Sequence, residues 1–369
     1  MGKDFRFFDS RQKYLLFVTT TNEKIKIAEK ISSLVKKINP KKPALKIFDA
    51  GLGDGTLLTS VLRSCHQQFP TIPFLIFGKE ISMEDVRLSI EKLPDRFMEH
   101  PDMVFVVTNL HYSESAKLTS LNKKKQEKIN WETVKLEGNS SYEFNQQLSK
   151  LDEMLKNNWQ VERHPVNGNP TYKLPSALII YRKDHEFSLD SIIPKKNETN
   201  VNFDLVIASQ PYRSRISVEQ KINYVIQPMI NILNKGGKLA LIHACGDDAG
   251  MEIIKKIWPD ENPFPSLSKE IVDNLRNQLK KEQLKKIIFN NPEKFRYNLR
   301  ALPNEIENGI ATSLIFSSWN ASTYVAQIND ENIIKAEKEG KYLKHIQQTI
   351  KKHDGLWFNN EILIIETEK

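Results

Sequence analysis

A few short stretches of this 369-residue chain carry residue types at spacings suited to chemistry. The first is Asp49-Ala50-Gly51-Leu52-Gly53-Asp54-Gly55. Alternating glycines permit backbone conformations and a close ligand approach that a Cβ would block. The second is Glu80, which closes the apolar run Phe74–Phe77 through Gly78-Lys79. A carboxylate at such a strand end can accept both hydroxyl hydrogens of an adenosine ribose. Two further polar stretches are Ala208-Ser209-Gln210-Pro211-Tyr212-Arg213 and His243-Ala244-Cys245-Gly246-Asp247-Asp248. His243 reads either as a general base, since its ordinary pKa lies near neutrality, or as a core histidine. Asp247 and Asp248 suit a cationic substrate, and no metal-ligand spacing surrounds them. Arg213 and Arg215 suit bidentate binding of a carboxylate or phosphate, or equally a solvated helix start. Cys245 reads as a small buried residue.

These stretches sit where strands end. Ala44–Ala50 predicts a short buried strand entering the glycine loop, and Thr56–Cys65 a helix with Leu57, Leu58, Val61 and Leu62 on one face. Phe74–Phe77 predicts a second strand, Met83–Lys92 a helix, and Met103–Val107 a third strand ending at Asn109-Leu110. Phe203–Ala208 and Lys238–His243 predict a fourth and fifth strand, with a helix over Val218–Leu233 between them and another over Met251–Trp258. Alternating strands and helices specify a parallel sheet with crossover helices. Residues 113–200 interrupt the alternation. They read as a helix over Tyr142–Asn157, then β-like runs Trp159–Val166 and Tyr172–Arg182 around an Asn167-Gly168 hairpin signal. Residues 259–300 read as mainly charged helix, and Thr323–Ile328 and Glu361–Glu366 as strands. Ahead of the sheet come the aromatic runs Phe5–Phe8 and Tyr14–Val18, then a helix capped by Thr21 or Asn22 and stopped at Asn39-Pro40. The domain boundaries expected are a helical extension over 1–40, a nucleotide-type domain over 41–112 and 201–369, and an insertion over 113–200 that serves as a lid, a substrate-binding segment or an oligomer contact.

The glycine spacing differs from the GxGxxG of dinucleotide-binding dehydrogenases. With Asp49 two residues ahead, it resembles the first motif of the class I (Rossmann-like) S-adenosylmethionine (SAM) dependent methyltransferases. The resemblance spans 44–112 and 201–250. It implies an α/β fold with a doubly wound, mostly parallel seven-stranded sheet, an inserted α+β segment and helical additions. It also implies SAM as cofactor. Asp49, Gly51, Gly53 and Gly55 would surround the methionine portion, Glu80 the ribose and Ile81 the adenine. Asn109 and Leu110 would stand at the adenine edge, with Asn where the family often has Asp. Ser209-Gln210-Pro211-Tyr212 resembles the Asn/Asp/Ser-Pro-Pro-Tyr/Phe motif of amino-group methyltransferases, with Gln210 in place of the first Pro. On that likeness Ser209, Tyr212 and His243 are the catalytic candidates, and Ser209 and Gln210 also edge the cofactor. Tyr212, Arg213, Asp247 and Asp248 are the acceptor-binding candidates. The segment Tyr14–Glu23 would fold over the cofactor, a family habit.

The formal net charge is +8, with the lysines scattered rather than gathered on one stretch. Nucleic acid is therefore not the favoured partner. No apolar run reaches the roughly 20 residues needed to span a bilayer. The opening residues lack the features of a signal peptide or a myristoylation site, so a cytoplasmic location is expected. Two cysteines, Cys65 and Cys245, exclude a disulfide framework and a zinc ribbon. The leading expectation is methyl transfer to a small-molecule or protein acceptor. The alternatives are a nucleic-acid amine methyltransferase and a non-catalytic SAM-binding regulatory or scaffold protein.

Overall fold

The computed structural model describes residues 11–164, 168, 170–300 and 311–368. The run Phe5–Phe8, and Asn167 and Asn169 of the expected hairpin signal, lie outside them. Central strands are β1 (Leu45–Asp49), β2 (Phe74–Lys79) and β3 (Met103–Thr108). From the insertion come β4 (Asn130–Leu136), β5 (Val161–Arg163), β6 (Pro170–Tyr172) and β7 (Ser176–Arg182). Then follow β8 (Phe203–Ser209), β9 (Leu233–Ala244), β10 (Ile287–Phe289), β11 (Glu293–Asn298) and β12 (Trp357–Thr367). The main sheet runs β10-β12-β9-β8-β1-β2-β3-β7-β4, with β11 also on β12.

β1 pairs in parallel with β2 on one side and with β8 on the other. The chain therefore leaves β1 in one direction and returns beyond it in the other. Connections diverge at that point and open a crevice at the carboxyl ends of the strands. Burial follows the strand period of two. Leu45 and Ile47 of β1 join one apolar layer; Ala44, Phe48 and Ala50 join the opposite one. The first layer is covered by helices α2 (Glu23–Val35), α3 (Thr56–Gln68) and α4 (Met83–Ile90), which follow α1 (Arg11–Thr20). The second is covered by residues of 218–230 and of the helix Ser268–Gln278. A third cluster joins α1 to the helices Ala249–Ile257, Ala311–Val325, Asp330–Glu339 and Lys341–His353.

Several expectations are corrected. The sheet has ten strands, not seven. The insertion adds β7 antiparallel to β3, and β4 parallel to β7. At the far edge β12 runs antiparallel to β9, and β10 and β11 share its outer side. The run Tyr172–Arg182 splits, because only its start pairs in the β5–β6 hairpin. Residues 259–300 include two strands beside the helix Ser268–Gln278; buried Phe295 and Tyr297 flanking exposed Arg296 show the strand period. Thr323–Val325 end a helix rather than forming a strand. Their β-branched and aromatic character favours strand locally, but packing in the third cluster overrides propensity. Thr323 Oγ1 is satisfied within the helix by Trp319 O at 2.8 Å. Among the described residues no helix is long and apolar enough to cross a membrane.

Candidate functional site

The glycine loop leaves β1 at the divergence point. Asp49 is fully buried; its Oδ1 accepts from Gly51 N at 3.1 Å and its Oδ2 has no partner. Burial pushes its carboxyl up to about 6. Gly53 adopts φ +53°, and a Cβ there would lie 2.4 Å from Tyr14 Oη. Gly55 at φ +77° precedes α3, and its Cβ would strike Ser89 of α4, so this glycine permits helix–helix rather than helix–sheet closeness. Tyr14 sits on the loop from α1: its hydroxyl accepts from Asp54 N at 3.3 Å and donates to Asp54 Oδ1 at 3.4 Å. Burial raises the Asp54 carboxyl, but hydrogen bonds from Lys92 and Thr56 outweigh it and hold the group low. It stays an ionised anchor for the turn.

Glu80 closes β2. Its Oε2 accepts from Gly53 N at 2.9 Å, and its Oε1 from Ile81 N at 2.7 Å and Ser82 N at 2.9 Å. The carboxylate thus ties the second strand end to the glycine loop. Burial, then the nearby Asp85, raises its pKa. The insertion reaches this point through Trp159, whose Nε1 donates to Glu80 O at 2.9 Å. Arg11 of α1 donates to Ser82 Oγ and pairs with Asp85 at 2.6 Å; its Nε and Nη2 are buried without partners.

Asn109 is used differently from expectation. Its Nδ2 donates to Leu174 O at 3.0 Å, and its Oδ1 accepts from Ser176 N at 2.8 Å. Both ends hold the start of β7. Leu110 is fully buried, and neither residue borders the cavity described below.

At the end of β8, Gln210 has φ +51°. Its Nε2 donates to Glu23 Oε1 and Asn360 Oδ1, both at 3.2 Å, and its Oε1 accepts from Ala244 N at 3.2 Å. One side chain therefore joins β8, β9, β12 and α2. Glu23 is 2% exposed and also accepts from Asn360 Nδ2 at 2.9 Å. Ser209 is buried, with an unpartnered Oγ.

Tyr212 and His243 do meet, but behind the cavity wall. Tyr212 Oη lies 2.8 Å from His243 Nδ1, and His243 Nε2 lies 2.7 Å from Glu361 Oε1. Burial alone would raise Glu361, but the histidine contact and the Ser268 N–H hold it low. An ionised Glu361 can only accept, so His243 Nε2 donates to it, and Nδ1 is left to the Tyr212 hydroxyl. Both imidazole nitrogens are thereby engaged. Lys221 lies 5.0 Å from the Tyr212 ring centroid, and burial lowers it to about 8.

Other acceptor candidates fall elsewhere. Asp248 caps the helix Ala249–Ile257: it accepts from Met251 N at 2.8 Å and Asn359 N at 3.0 Å, and burial raises it to about 6. Asp247 is exposed and pairs with Lys294 at 3.2 Å. Both border an open groove of residues 245–264 that does not include the glycine loop. Arg213 and Arg215 are outside the cavity as well; Arg215 pairs with Glu261 at 2.7 Å.

What converges is a cavity of about 270 Å³ along the carboxyl edge of the sheet. Its floor is Ala50, Gly51 and Gly53; one end is Glu80, Ile81, Ser82 and Asp85; the other is Ser209, Gln210, Pro211 and Ala244. α1 and the start of α2 close over it with Arg11, Tyr14, Phe17, Glu23 and Lys24. The volume is near the lower bound of about 300 Å³ for small-molecule sites. Three acids (Glu23, Glu80, Asp85) and three bases (Arg11, Lys24, Lys79) line it, a balance suited to a zwitterionic ligand with hydroxyl groups. Sequence reasoning missed Lys24, Asp85 and Tyr324, which packing brings in from afar. It also missed Asn360 and Glu361, whose signal was a polar pair inside an apolar strand. No group of His, Cys, Asp and Glu side chains suited to a metal occurs among the described residues.

No protein-family model and no curated protein matches the chain. Among solved structures, the [4+2]-cyclase SpnF is 12% identical, with a TM-score of 0.38 over 92% of this chain and 81% of that one. A geranyl diphosphate methyltransferase in complex with SAM is 8% identical, with a TM-score of 0.32 over 93% and 85%. The O-methyltransferase TomG from Streptomyces achromogenes, in complex with SAM, is 7% identical, with a TM-score of 0.31 over 93% and 80%. Likenesses this distant do not select a reaction.

Proposed function

We propose that this chain is a SAM-dependent methyltransferase acting on a small molecule or a protein side chain. The observation that carries this reading is the mixed-charge cavity at the β1 divergence point, floored by Gly51 and Gly53 and bounded by Glu80. The residues present fit the cofactor. Lys24 and Arg11, the latter with buried unpartnered guanidinium nitrogens, suit its carboxylate. Asp49, fully buried beneath the loop and off the cavity surface, would offset its positive charge from below. Glu80 accepts three N–H groups, and a carboxylate offers about four lone-pair sites, so it retains capacity for a ribose hydroxyl. Ile81 gives an apolar surface for the adenine; Asn109 and Leu110 have no part in this arrangement.

When bound, SAM supplies an activated methyl group for in-line displacement by the acceptor. The chain's own work is orientation, worth up to about 7–11 kcal/mol in ideal intramolecular systems. The missing Cβ of Gly53 lets the Tyr14 hydroxyl of α1 settle on the loop, so that α1 borders the cavity. Ser209 and Gln210 bring polar atoms to the opposite end, where an acceptor approaches. Tyr212, His243 and Glu361 brace the β8 and β9 ends from behind rather than touching the ligand. The test is transfer of a tritiated methyl from SAM into extracts of the source cells, fractionated by size. Labelling by the wild type and none by Gly53→Arg supports the reading. SAM binding without label in any extract contradicts catalysis.

A further inference from the structure

Two of the three basic side chains that line the cavity are already matched by acids. Arg11 pairs with Asp85 at 2.6 Å, and Lys24 with Glu23 at 3.3 Å. Lys79 differs. Among the described residues its ammonium has no carboxylate in ion-pair contact and donates no hydrogen bond; it stands 5.1 Å from the centroid of the Tyr112 ring. Solvent still reaches the nitrogen, unlike Ser209 Oγ or the orphaned guanidinium nitrogens of Arg11. Lys79 and Tyr112 both line the cavity.

The strand explains this placement. Leu75 and Phe77, four and two residues before Lys79, belong to the second apolar layer. A period of two turns Lys79 to the same side. Glu80, the next residue, faces the other way, and its oxygens accept from the Gly53, Ile81 and Ser82 N–H groups. Tyr112 packs against the second layer too, and its hydroxyl donates to Pro211 O at 3.1 Å, which ties the ring across from the β3 end to the β8 end. Burial pushes the Lys79 ammonium below its ordinary pKa, with Glu80 opposing. A partly desolvated ammonium with three unused donors is costly unless a ligand meets it. The ligand group that best does so is an anion, because charge-assisted hydrogen bonds are the strong ones. On the SAM reading the cofactor has no anion left to give. Its one carboxylate is served by Arg11 and Lys24 on the α1 and α2 side, and its remaining charges are positive.

We propose that the methyl acceptor carries a carboxylate or a phosphate, bound by the Lys79 ammonium where it stands over the Tyr112 ring. The proposal rests on the SAM reading for the rest of the cavity. Tyr112 acts as a positioning residue: its ring holds the ammonium from one side and leaves the N–H groups to the ligand.

The test uses the full chain saturated with S-adenosylhomocysteine, whose affinity is first measured by calorimetry. Butyrate, n-butyl phosphate and 1-butanol, similar in length and differing in charge, are then titrated and followed by ligand-observed NMR. At least one anion is expected to bind about tenfold more tightly than the alcohol, and which one does so separates a carboxylate acceptor from a phosphate acceptor. Lys79→Met keeps the length of the side chain without its charge. It is expected to reduce that preference below about twofold while S-adenosylhomocysteine affinity stays within about threefold. Circular dichroism checks the fold, and Lys79→Gln gives the same reading if Lys79→Met does not fold. Equal binding of all three probes to the wild type overturns the proposal. So does a preference retained without the Lys79 charge, which would place the anions elsewhere on a basic surface. Cofactor affinity lost in the variant also overturns it, and would assign Lys79 to the cofactor's carboxylate. Failure of the wild type to bind S-adenosylhomocysteine removes the SAM reading itself, and this proposal with it.

Discussion

Asp49 shows how one residue couples fold and ligand. Burial raises its carboxyl to about 6 in the folded chain, against roughly 3.9 for an exposed aspartate. Between those values the folded chain binds more protons than the unfolded one. The residue's contribution to stability is therefore greatest at the acid side and falls as pH rises through about 6. A bound cation acts the other way, because it favours the ionised carboxylate. SAM affinity is accordingly expected to rise by roughly threefold to tenfold from about pH 5 to pH 7. Calorimetry at several pH values checks this, and the rise should vanish in Asp49→Asn; a slope that survives the substitution counts against a cationic ligand above Asp49. Residue types at strand ends were readable in the sequence for Gly51, Gly53, Glu80 and Ser209, all of which border the cavity. Asn109 was not readable, because the use of its side chain depends on Ser176, brought beside it by antiparallel pairing of β3 and β7. His243 was likewise ambiguous until Glu361, distant in sequence, was seen to occupy its second nitrogen.

Helix ends decide the roles of other candidates. Asp248 caps the helix Ala249–Ile257 and also holds β12 through Asn359 N. Asp248→Ala should destabilise the protein by about 1–2 kcal/mol, the usual effect of losing an N-cap. Urea unfolding measures that loss, and SAM affinity should be unchanged; a stable variant with weakened ligand binding would restore Asp248 to the site. α1 makes the complementary case. Tyr14 touches Asp54 on both its N–H and its carboxylate, which anchors the helix over the glycine loop. Tyr14→Phe removes those hydrogen bonds and is expected to speed SAM release by about threefold to tenfold, read by stopped-flow fluorescence. An unchanged release rate would mean that α1 does not gate the cavity. The elements flanking the glycine loop were legible, since β1 is a short apolar run buried on both faces and α3 buries Leu57, Leu58, Val61 and Leu62 at helical spacing. The helix Ala311–Val325 was not legible at its end, where Thr323-Tyr324-Val325 reads locally as strand while packing against α1 imposes helix.

At the scale of the whole molecule, the insertion is part of the sheet. β7 contributes an entire antiparallel partner for β3, with every residue of β7 buried, and Trp159 hydrogen-bonds the end of β2. Deleting residues 113–200 should therefore expose the β3 edge and give aggregated protein on size-exclusion chromatography. A soluble deletion variant would show that the insertion is separable. The parallel pairing of the central strands through helical crossovers followed from the alternation of strands and helices; the edge strands did not, because pairing between distant segments such as β4 with β7 leaves no local signature. The central claim is that the crevice beside β1 binds SAM. Its most direct test is calorimetric titration of SAM into the wild type and Gly53→Arg side by side, with circular dichroism confirming that both are folded. One site per chain in the wild type, and none in the variant, is the expected result, because the side chain of an arginine at φ +53° would collide with Tyr14 Oη, 2.4 Å from its Cβ, and displace α1 and the loop that border the cavity. No binding to the wild type at millimolar SAM, or unchanged affinity in Gly53→Arg, would contradict it.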